Sequence, residues 1–295
     1  MVHHARHSEQ EHLQSIRNTY PDISIQTSEV LARGQQCDAY LINSEFVFRF
    51  SRNREDYGEL AKESSILKSI HGLLPVAVPV PTFEKLDWCA GPPFIGYRMI
   101  PGVPLRREML AAISDVFVRQ RLASQLAGFL TALHAPATLR AAQRGLQFED
   151  TARKYELMYE AIRLRLFDHM SGAACVATTR LFESYLNSGG GAEYLPCLRH
   201  GDFGPTNILG DIESATITGI LDFGHAGVGD PAYDLAGVAC YGDAFLEMVG
   251  AEYPHFESLR ARSKFYKETF ALQEALYGLE HGDTQAFERG IACFR

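Results

Sequence analysis

Two short acidic motifs carry the side chains of this sequence that are best suited to chemistry. The first runs His200-Gly-Asp202-Phe-Gly-Pro-Thr-Asn207, and the second is Leu221-Asp222-Phe-Gly224. Two short β-type segments with a polar turn between them separate the motifs and predict a hairpin. Because a hairpin returns the chain to where it left, we expect Asp202, Asn207 and Asp222 to converge.

Three oxygen-bearing side chains at one point suit a hard cation. Magnesium prefers a few oxygen ligands together with waters and phosphates, which Asn207 and Asp222 can supply while Asp202 stays free as a base. In phosphoryl transfer a catalytic Asp precedes a metal-binding Asn by five positions and an Asp-Phe-Gly motif follows, which is the spacing seen here. The alternative is that both aspartates only cap turns near glycine, which explains one motif better than two matched ones.

The elements that must hold these residues begin with a strand-rich segment. Strand patterns cover 23–25, 30–31, 39–42 and 46–50, a helical pattern covers 59–71, and a further strand covers 94–100 before Pro101-Gly102. An antiparallel sheet with one main helix follows from this order.

The remainder of the chain has helix-period apolar faces over 113–133, 148–170, 173–186, 259–279 and 286–294, interrupted by the hairpin. We therefore predict an α+β fold with two lobes. Residues 1–101 form a nucleotide-binding lobe with its hinge. Residues 102–295 form a mainly helical lobe with the catalytic loop and the substrate pocket.

Composition excludes several classes of protein. A formal charge of −8 argues against a nucleic-acid binder and accommodates a cationic ligand more easily. The six cysteines lack zinc-site spacing, which favours thiols in a reducing compartment. No secretory signal or bilayer-length apolar segment is present, so we expect a soluble, cytoplasmic protein. A histidine cluster near the start is interpreted as a solvated leader without a role: His3, His4, His7 and His12.

On these motifs the sequence resembles the aminoglycoside phosphotransferases, a family that shares the protein-kinase-like fold. His200-Gly-Asp202 stands where protein kinases carry His-Arg-Asp, and Gly229-Asp230-Pro-Ala-Tyr-Asp234 is similar to the family's Asp-Pro-x-x-Asp segment. The resemblance spans nearly the whole chain and is closest to the 2″-phosphotransferase branch, through 63–71, 94–105 and 276–282. It implies that Asp234 is a buried structural carboxylate.

The resemblance also implies a reaction, in which Mg²⁺ and ATP or GTP phosphorylate a small-molecule hydroxyl. An aminoglycoside antibiotic is the first expectation for the acceptor, and its ammonium groups would need nearby carboxylates. Four acidic residues near the tail are available for this, without any being assigned: Glu268, Glu274, Glu280 and Asp283. A macrolide, a sugar derivative or an amino alcohol stays open as an acceptor, and so does a non-catalytic nucleotide-binding protein. The absence of an Ala-Pro-Glu segment after Asp222 disfavours a protein kinase.

The nucleotide-binding residues are carried over from the resemblance. Arg49 and Glu63 stand at the positions of the family's strand lysine and helix glutamate, and Gly34 opens the place of the phosphate-covering loop. The backbone groups of Arg98 and Ile100 are expected to meet the base, which leaves ATP and GTP unseparated. Arginine in place of lysine is a departure that changes the fork geometry, and a surface arginine on an edge strand is the alternative.

Two histidines flank the motifs. We expect His200 to buttress the catalytic loop more than to transfer protons, and His225 is open to either interpretation.

Overall fold

The computed structural model describes residues 7–34, 37–52, 57–89, 91–142, 146, 151–189 and 194–295. Its α+β architecture confirms the prediction of a strand-rich first part and a mainly helical second part. Several predicted features lie outside the described residues: His3 and His4, Gln35 and Gln36 of the expected phosphate-covering loop, and 148–150 of one helix.

Five strands of the described first part form one antiparallel sheet in the order β1-β2-β3-β5-β4. Side chains of β2 alternate between buried and half-buried, as expected for a strand with one face on a core. The interior position of β3 places Arg49 on a central strand, so the edge-strand alternative is wrong. The bounds are β1 Ser28–Arg33, β2 Cys37–Ile42, β3 Phe46–Ser51, β4 Phe83–Lys85 and β5 Phe94–Arg98.

Two helices accompany this sheet, where the sequence predicted one. Helix α2, Tyr57–Ile70, is the expected main helix and carries Glu63 on its buried side. Helix α1, Glu9–Thr19, was not predicted, although Ser8 and Glu11 form a capping box at its start. Ile16 of α1 packs on an aromatic core of the sheet that includes Phe48 and Phe94.

Two expectations for this part of the chain are wrong. Residues 23–25 form no strand, and β1 begins only at Ser28. His12 belongs to no solvated leader, because α1 buries it against the sheet to 1% exposure, where its Nδ1 shares a hydrogen bond of 3.0 Å with Tyr40. The amphipathic pattern of α1 positions this histidine on the inner face.

The described residues of the second part are mainly helical, with five short strands. The long helix α10 is closed by Gly282, whose φ of +69° gives a left-handed C-cap. The helices are α3 Arg107–Ala112, α4 Val116–Leu133, α5 Pro136–Ala142, α6 Thr151–Arg165, α7 Gly172–Asn187, α8 Ala232–Val238, α9 Asp243–Gly250, α10 Phe256–His281 and α11 Thr284–Ile291. The strands are β6 Val103–Pro104, β7 Cys197–Arg199, β8 Ile208–Asp211, β9 Thr216–Ile220 and β10 Gly227–Gly229.

The predicted hairpin is confirmed as the antiparallel pair β8–β9. It is closed at its base by the Leu221 N–H, which donates to the carbonyl of Asn207 over 2.8 Å. Strand β6 pairs with β8, so the chain just after Pro101-Gly102 is already joined to the hairpin. The lobe boundary between residues 101 and 102 stays a prediction.

The Asp202 and Asp222 motifs are both anchored in a large apolar core. Phe203 stacks on Phe129 of α4 with ring centroids 5.8 Å apart, and Phe223 is fully buried in the same core. Because each phenylalanine directly follows a motif aspartate, burial of the rings turns Asp202 and Asp222 toward the surface above them.

None of the helices in the described ranges is long and apolar enough to cross a membrane.

Candidate active site

The catalytic loop places two of the predicted residues in direct contact. The Asn207 side-chain amide donates to Asp202 Oδ2 over 2.8 Å and to the Asp202 carbonyl over 2.9 Å. The Gly204 N–H donates to the same carbonyl, which makes the loop a tight turn. With its Nδ2 committed to Asp202, Asn207 has its amide oxygen left for other ligands.

The second aspartate meets the sheet. One guanidinium N–H group of Arg49 donates a hydrogen bond to Asp222 Oδ1 over 2.9 Å, and another donates to Glu63 Oε1 of α2. The side chains of Arg49 and Glu63 are 13% and 2% exposed, whereas that of Asp222 is 41% exposed. The structure therefore brings Arg49, Glu63 and Asp222 into one ion-pair chain.

These contacts set the charges at the site. Burial opposes ionisation of Asp222, but the positive charge of Arg49 and the hydrogen bond it donates outweigh that effect and lower the pKa of Asp222. Burial would likewise lower the pKa of Arg49, and the charges of Glu63 and Asp222 raise it instead. Asp222 is therefore a carboxylate at neutral pH.

His200 joins the two motifs. Its ring is fully buried, its Nε2 donates to the Leu221 carbonyl over 2.9 Å, and its Nδ1 accepts the Asp202 N–H over 3.2 Å. Both ring nitrogens are thus used within the loop, which is the buttress that the sequence predicted.

Asp234 braces the same loop from α8. Its carboxylate accepts the backbone N–H groups of His200 at 2.6 Å and Gly201 at 2.9 Å, and the Nε2 of His134 at 3.1 Å. Burial would raise the pKa of Asp234, but the hydrogen bond from His134 keeps it below its ordinary value. Asp234 is fully buried, in agreement with a structural carboxylate.

A cleft of about 550 Å³ lies between the sheet and the hairpin, and Asp202, Asn207 and Asp222 all line it. Arg49 is part of its wall, whereas Glu63 lies behind Arg49. Apolar side chains from both lobes complete the cleft, as a nucleotide base would require. They are Leu31, Ala32, Ala39, Val47, Met99, Ile100, Leu209 and Leu221.

Gly34 lines the cleft at the turn between β1 and β2. Its N–H donates to the Cys37 carbonyl over 2.9 Å, and a Cβ at this position would lie 2.8 Å from that oxygen. Glycine is required here by the close approach of the chain to itself. Its own amide is used in the turn, so any phosphate contact of this loop falls to other groups.

Of the hinge residues, Met99 and Ile100 line the cleft, whereas the Arg98 side chain is turned away from it. Arg98 turns its guanidinium outward onto Glu45, at 2.8 Å, with 73% of the side chain exposed. The Met99 N–H donates to the Glu45 carbonyl. The neighbouring residues Arg98 and Phe46, which lie opposite each other on β5 and β3, therefore form a non-hydrogen-bonded pair of the ladder. The peptide groups of Arg98 therefore point away from β3, and no described residue accepts the N–H of Ile100.

A second cavity, of about 480 Å³, opens on the other side of Asp202 and shares His225 with the cleft. Three of its lining residues are basic, of which Lys62 is paired with Glu59, and Asp202 is the one carboxylate that the described residues contribute to the lining. Arg199 and Lys154 both lie over the ring of Tyr233. The lining residues are Lys62, Lys154, Arg199, Gly201, Asp202, His225, Tyr233 and Gln273.

The acidic residues near the tail do not line either of these cavities. Three of them pair with basic residues at the surface: Glu268 with Lys264, Glu274 with Arg289 and Glu280 with Arg165. Asp283 instead caps α11 by accepting the N–H of Ala286 over 3.0 Å. They are committed to the stability of the helices.

The side-chain oxygens of Asp222 and Asn207 are suited to binding Mg²⁺. Asp222 Oδ1 accepts hydrogen bonds from Arg49 and Gly224, while no described residue donates to its Oδ2. Asn207 adds an amide oxygen beside the same cleft. Within the described part of the chain, no group of three or more His, Cys, Asp or Glu side chains could hold a metal ion by itself.

Sequence reasoning missed the basic residues of the second cavity. Lys62 and Lys154 lie on helices where exposed lysines are ordinary, so they gave no signal. Tyr233 lies inside the Asp-Pro-x-x-Asp segment and Arg199 directly precedes His200, and these neighbourhoods were the available signal.

Comparison with known proteins gives one family. The pattern of the phosphotransferase enzyme family matches residues 27–265. Viomycin phosphotransferase of Streptomyces vinaceus is 29% identical over 265 residues, which cover 86% of this chain and 88% of that relative.

Solved structures give the same picture. The GDP and kanamycin complex of APH(2")-IIIa is 29% identical, with a TM-score of 0.89 over 97% of each chain. The macrolide 2'-phosphotransferase MphH of Brachybacterium faecium is 21% identical, with a TM-score of 0.73 over 97% of this chain and 98% of that one, and shows the fold alone. These likenesses confirm the two-lobed, protein-kinase-like fold.

Proposed function

The chain belongs to the phosphotransferase enzyme family, and from this premise we propose that it transfers the γ-phosphoryl group of a nucleoside triphosphate to a small-molecule hydroxyl. One observation carries the proposal: Asp202, Asn207 and Asp222 line one cleft, with Asn207 hydrogen-bonded to Asp202 and Asp222 held by Arg49. A base, two oxygen ligands and a cation in this order match the parts of phosphoryl transfer.

In the proposed mechanism, Asp202 accepts a hydrogen bond from the acceptor hydroxyl and aligns its oxygen with the γ-phosphorus. The new O–P bond forms as the bond to the β-phosphate oxygen breaks, and the hydroxyl proton passes to Asp202 late in the step. Asn207 keeps the Asp202 carboxylate in one orientation through its 2.8 Å hydrogen bond. Asn207 and Asp222 would hold Mg²⁺, which neutralises phosphate charge when bound.

For the donor, we propose GTP first and ATP second. GDP is bound in the APH(2")-IIIa structure that is 29% identical to this chain. In this chain the backbone groups of Arg98 and Ile100 are the proposed contacts to the base. Ile100, Gly34 and the apolar wall line the cleft that would hold the nucleotide. We place the reaction in the cytoplasm, where both nucleotides and Mg²⁺ are available.

The relatives make an aminoglycoside or a similar cationic antibiotic the first candidate acceptor, because kanamycin is bound in APH(2")-IIIa. The second cavity favours another candidate, an alcohol that carries a phosphate or carboxylate group. Lys62, Lys154 and Arg199 face the same cavity as Asp202, and basic side chains attract an anionic substituent.

An acceptor panel tests the function and separates these candidates. Purified protein with Mg²⁺ and GTP or ATP is given kanamycin, viomycin, a macrolide, amino alcohols, neutral sugars, sugar phosphates and hydroxy acids. Release of nucleoside diphosphate is measured above background hydrolysis, and mass spectrometry identifies the phosphorylated product. We expect one class to be phosphorylated only by protein with Asp202 intact.

Phosphorylation of kanamycin or viomycin would establish the first candidate, and phosphorylation of the anionic alcohols alone would establish the second. Nucleotide binding without turnover above an Asp202→Asn variant for every acceptor would contradict the proposal and favour a non-catalytic nucleotide-binding protein.

A further inference from the structure

Arg49 contacts two carboxylates, Glu63 behind the wall of the cleft and Asp222 in its lining. We infer that Arg49 is a positioning residue for the metal, which holds Asp222 so that one carboxylate oxygen is presented to Mg²⁺, and that this is its main contribution in place of phosphate binding. The inference rests on the proposed function, because it assigns a role within the same site.

The contacts form a continuous chain from the sheet to the second motif. Arg49 on β3 donates to Glu63 on α2 and, over 2.9 Å, to Asp222 Oδ1. Glu63 Oε1 also accepts the Phe223 N–H over 3.1 Å, so both partners of Arg49 are fixed to the same short segment. This arrangement holds the backbone and the side chain of the Asp-Phe-Gly motif together.

Two features make the orientation of Asp222 dependent on this support. Its φ of +62° lies in the left-handed region, which a non-glycine residue keeps only where the surrounding contacts hold it there. The donors from Arg49 and Gly224 both reach Oδ1, so Oδ2 is left without a donor among the described residues and stays available to a metal ion. Without Arg49, the carboxylate is free to rotate and either oxygen can turn away.

The residue type matters because two carboxylates have to be reached at once. A guanidinium is a rigid planar fork with five donors, whereas a lysine ammonium is a point charge on a flexible stem. Arginine can therefore bind Glu63 and Asp222 through separate nitrogens in fixed directions. A lysine at residue 49 would keep the charge but lose the fixed geometry.

Loss of a group that orients a metal-ligating carboxylate typically lowers metal affinity by about 10–100-fold. We therefore expect Arg49→Lys to weaken binding of the metal to the nucleotide complex by about 10-fold or more. Affinity for the nucleotide without metal should change by less than about 3-fold, because the inference gives Arg49 little part in phosphate binding.

The test uses the full chain with a fluorescent GDP analogue and, in parallel, its ADP counterpart. Nucleotide affinity is measured in EDTA and in Mn²⁺, and bound Mn²⁺ is counted by the loss of the free-ion signal in electron paramagnetic resonance. Asp222→Asn serves as the reference for a lost metal ligand. Arg165→Lys is the matched control, since it makes the same change in a surface ion pair with Glu280.

A drop confined to Mn²⁺ affinity in Arg49→Lys, with Arg165→Lys unchanged, is the expected result. Equal losses of nucleotide affinity in EDTA and in Mn²⁺ would show direct phosphate binding and overturn the inference, as would wild-type Mn²⁺ affinity. If Arg49→Lys does not fold, Glu63→Gln removes the charge that anchors the other side of the guanidinium and should also weaken Mn²⁺ binding. Wild-type Mn²⁺ affinity in that variant would overturn the inference. Failure of the wild type to bind either nucleotide would contradict the proposed function instead.

Discussion

Gly201 links the buried His200 to the base Asp202, and its backbone admits no other residue without strain. Its φ is +82°, and a Cβ at this position would lie 2.2 Å from the carbonyl oxygen of His225. Both constraints act on the residue directly before Asp202. The position of the Asp202 carboxylate therefore depends on residue 201 being a glycine.

We predict that Gly201→Ala lowers turnover by about 100-fold, because a shift of about 1 Å at a reacting group can cost this much. Gly204→Ala is the matched control in the same loop, since a Cβ there meets no atom within 4 Å. Steady-state kinetics on the best acceptor, with circular dichroism to confirm folding, measures both variants. Equal turnover of the two variants would contradict the prediction.

For single residues, the sequence predicted the convergence of those with a fixed spacing along the chain and missed those without one. Asp202, Asn207 and Asp222 converge because one hairpin separates them, which is a local feature of the chain. The pairing of Arg49 with Asp222 joins residues 173 positions apart and depends on how the two lobes pack. Neither its geometry nor the basic second cavity follows from local pattern.

Among the elements, α1 places a histidine where protonation is opposed. Burial lowers the pKa of His12 to about 4, even though the nearby Asp38 raises it. Its Nε2 has no hydrogen-bond partner among the described residues, and its ring packs 4.3 Å from that of Phe50. The other charged groups that act on it are His7, Glu11 and Arg33.

In the unfolded chain the His12 imidazole therefore binds a proton near pH 6.5, whereas in the folded chain it stays neutral down to about pH 4. The part of the stability that depends on neutral His12 is fully present above pH 6.5 and is lost as the pH falls toward 4. We predict that His12 reduces the free energy of unfolding by about 2 kcal/mol between pH 7.5 and pH 5.

Urea unfolding of the wild type and of His12→Gln at both pH values isolates this effect, since glutamine does not titrate and the other groups are shared. The difference in stability between the two proteins should move by about 2 kcal/mol in favour of the variant at pH 5. A difference that does not depend on pH would show that His12 is protonated in the folded state.

The elements were predictable where a periodic pattern was long. Helices α2, α4 and α10 and the β8–β9 hairpin carry such patterns, whereas the short helices α3, α5, α8 and α9 were absent from the prediction. Helix α1 had a readable capping box at Ser8 and Glu11, but its histidines led to the interpretation of a leader. Only packing against the sheet distinguishes these two interpretations.

For the whole molecule, the cleft joins both lobes, so a ligand that fills it should stabilise the entire fold. A ligand present at about 100 times its Kd adds about 2.7 kcal/mol to the free energy of unfolding. We predict that Mg²⁺ and GDP together raise the Tm by several degrees, and that Asp222→Asn removes the part of this rise that depends on Mg²⁺.

Differential scanning fluorimetry with GDP alone, Mg²⁺ alone and both together measures this effect, with Arg165→Lys as a surface control. The same rise in Asp222→Asn as in the wild type would contradict metal binding at Asp222. The fold itself was predictable from the order of its motifs along the chain, while the basic residues of the second cavity are brought together only by the packing of α2, α6 and β7.

The central claim is that Asp202 acts on the acceptor hydroxyl, and the rate of acceptor phosphorylation in Asp202→Asn tests it most directly. Asparagine keeps the size and can still accept the hydrogen bond from Asn207, but it cannot take a proton. The account predicts a turnover at least about 100-fold below the wild type, with Mg²⁺–nucleotide affinity unchanged. Wild-type turnover in Asp202→Asn would contradict it.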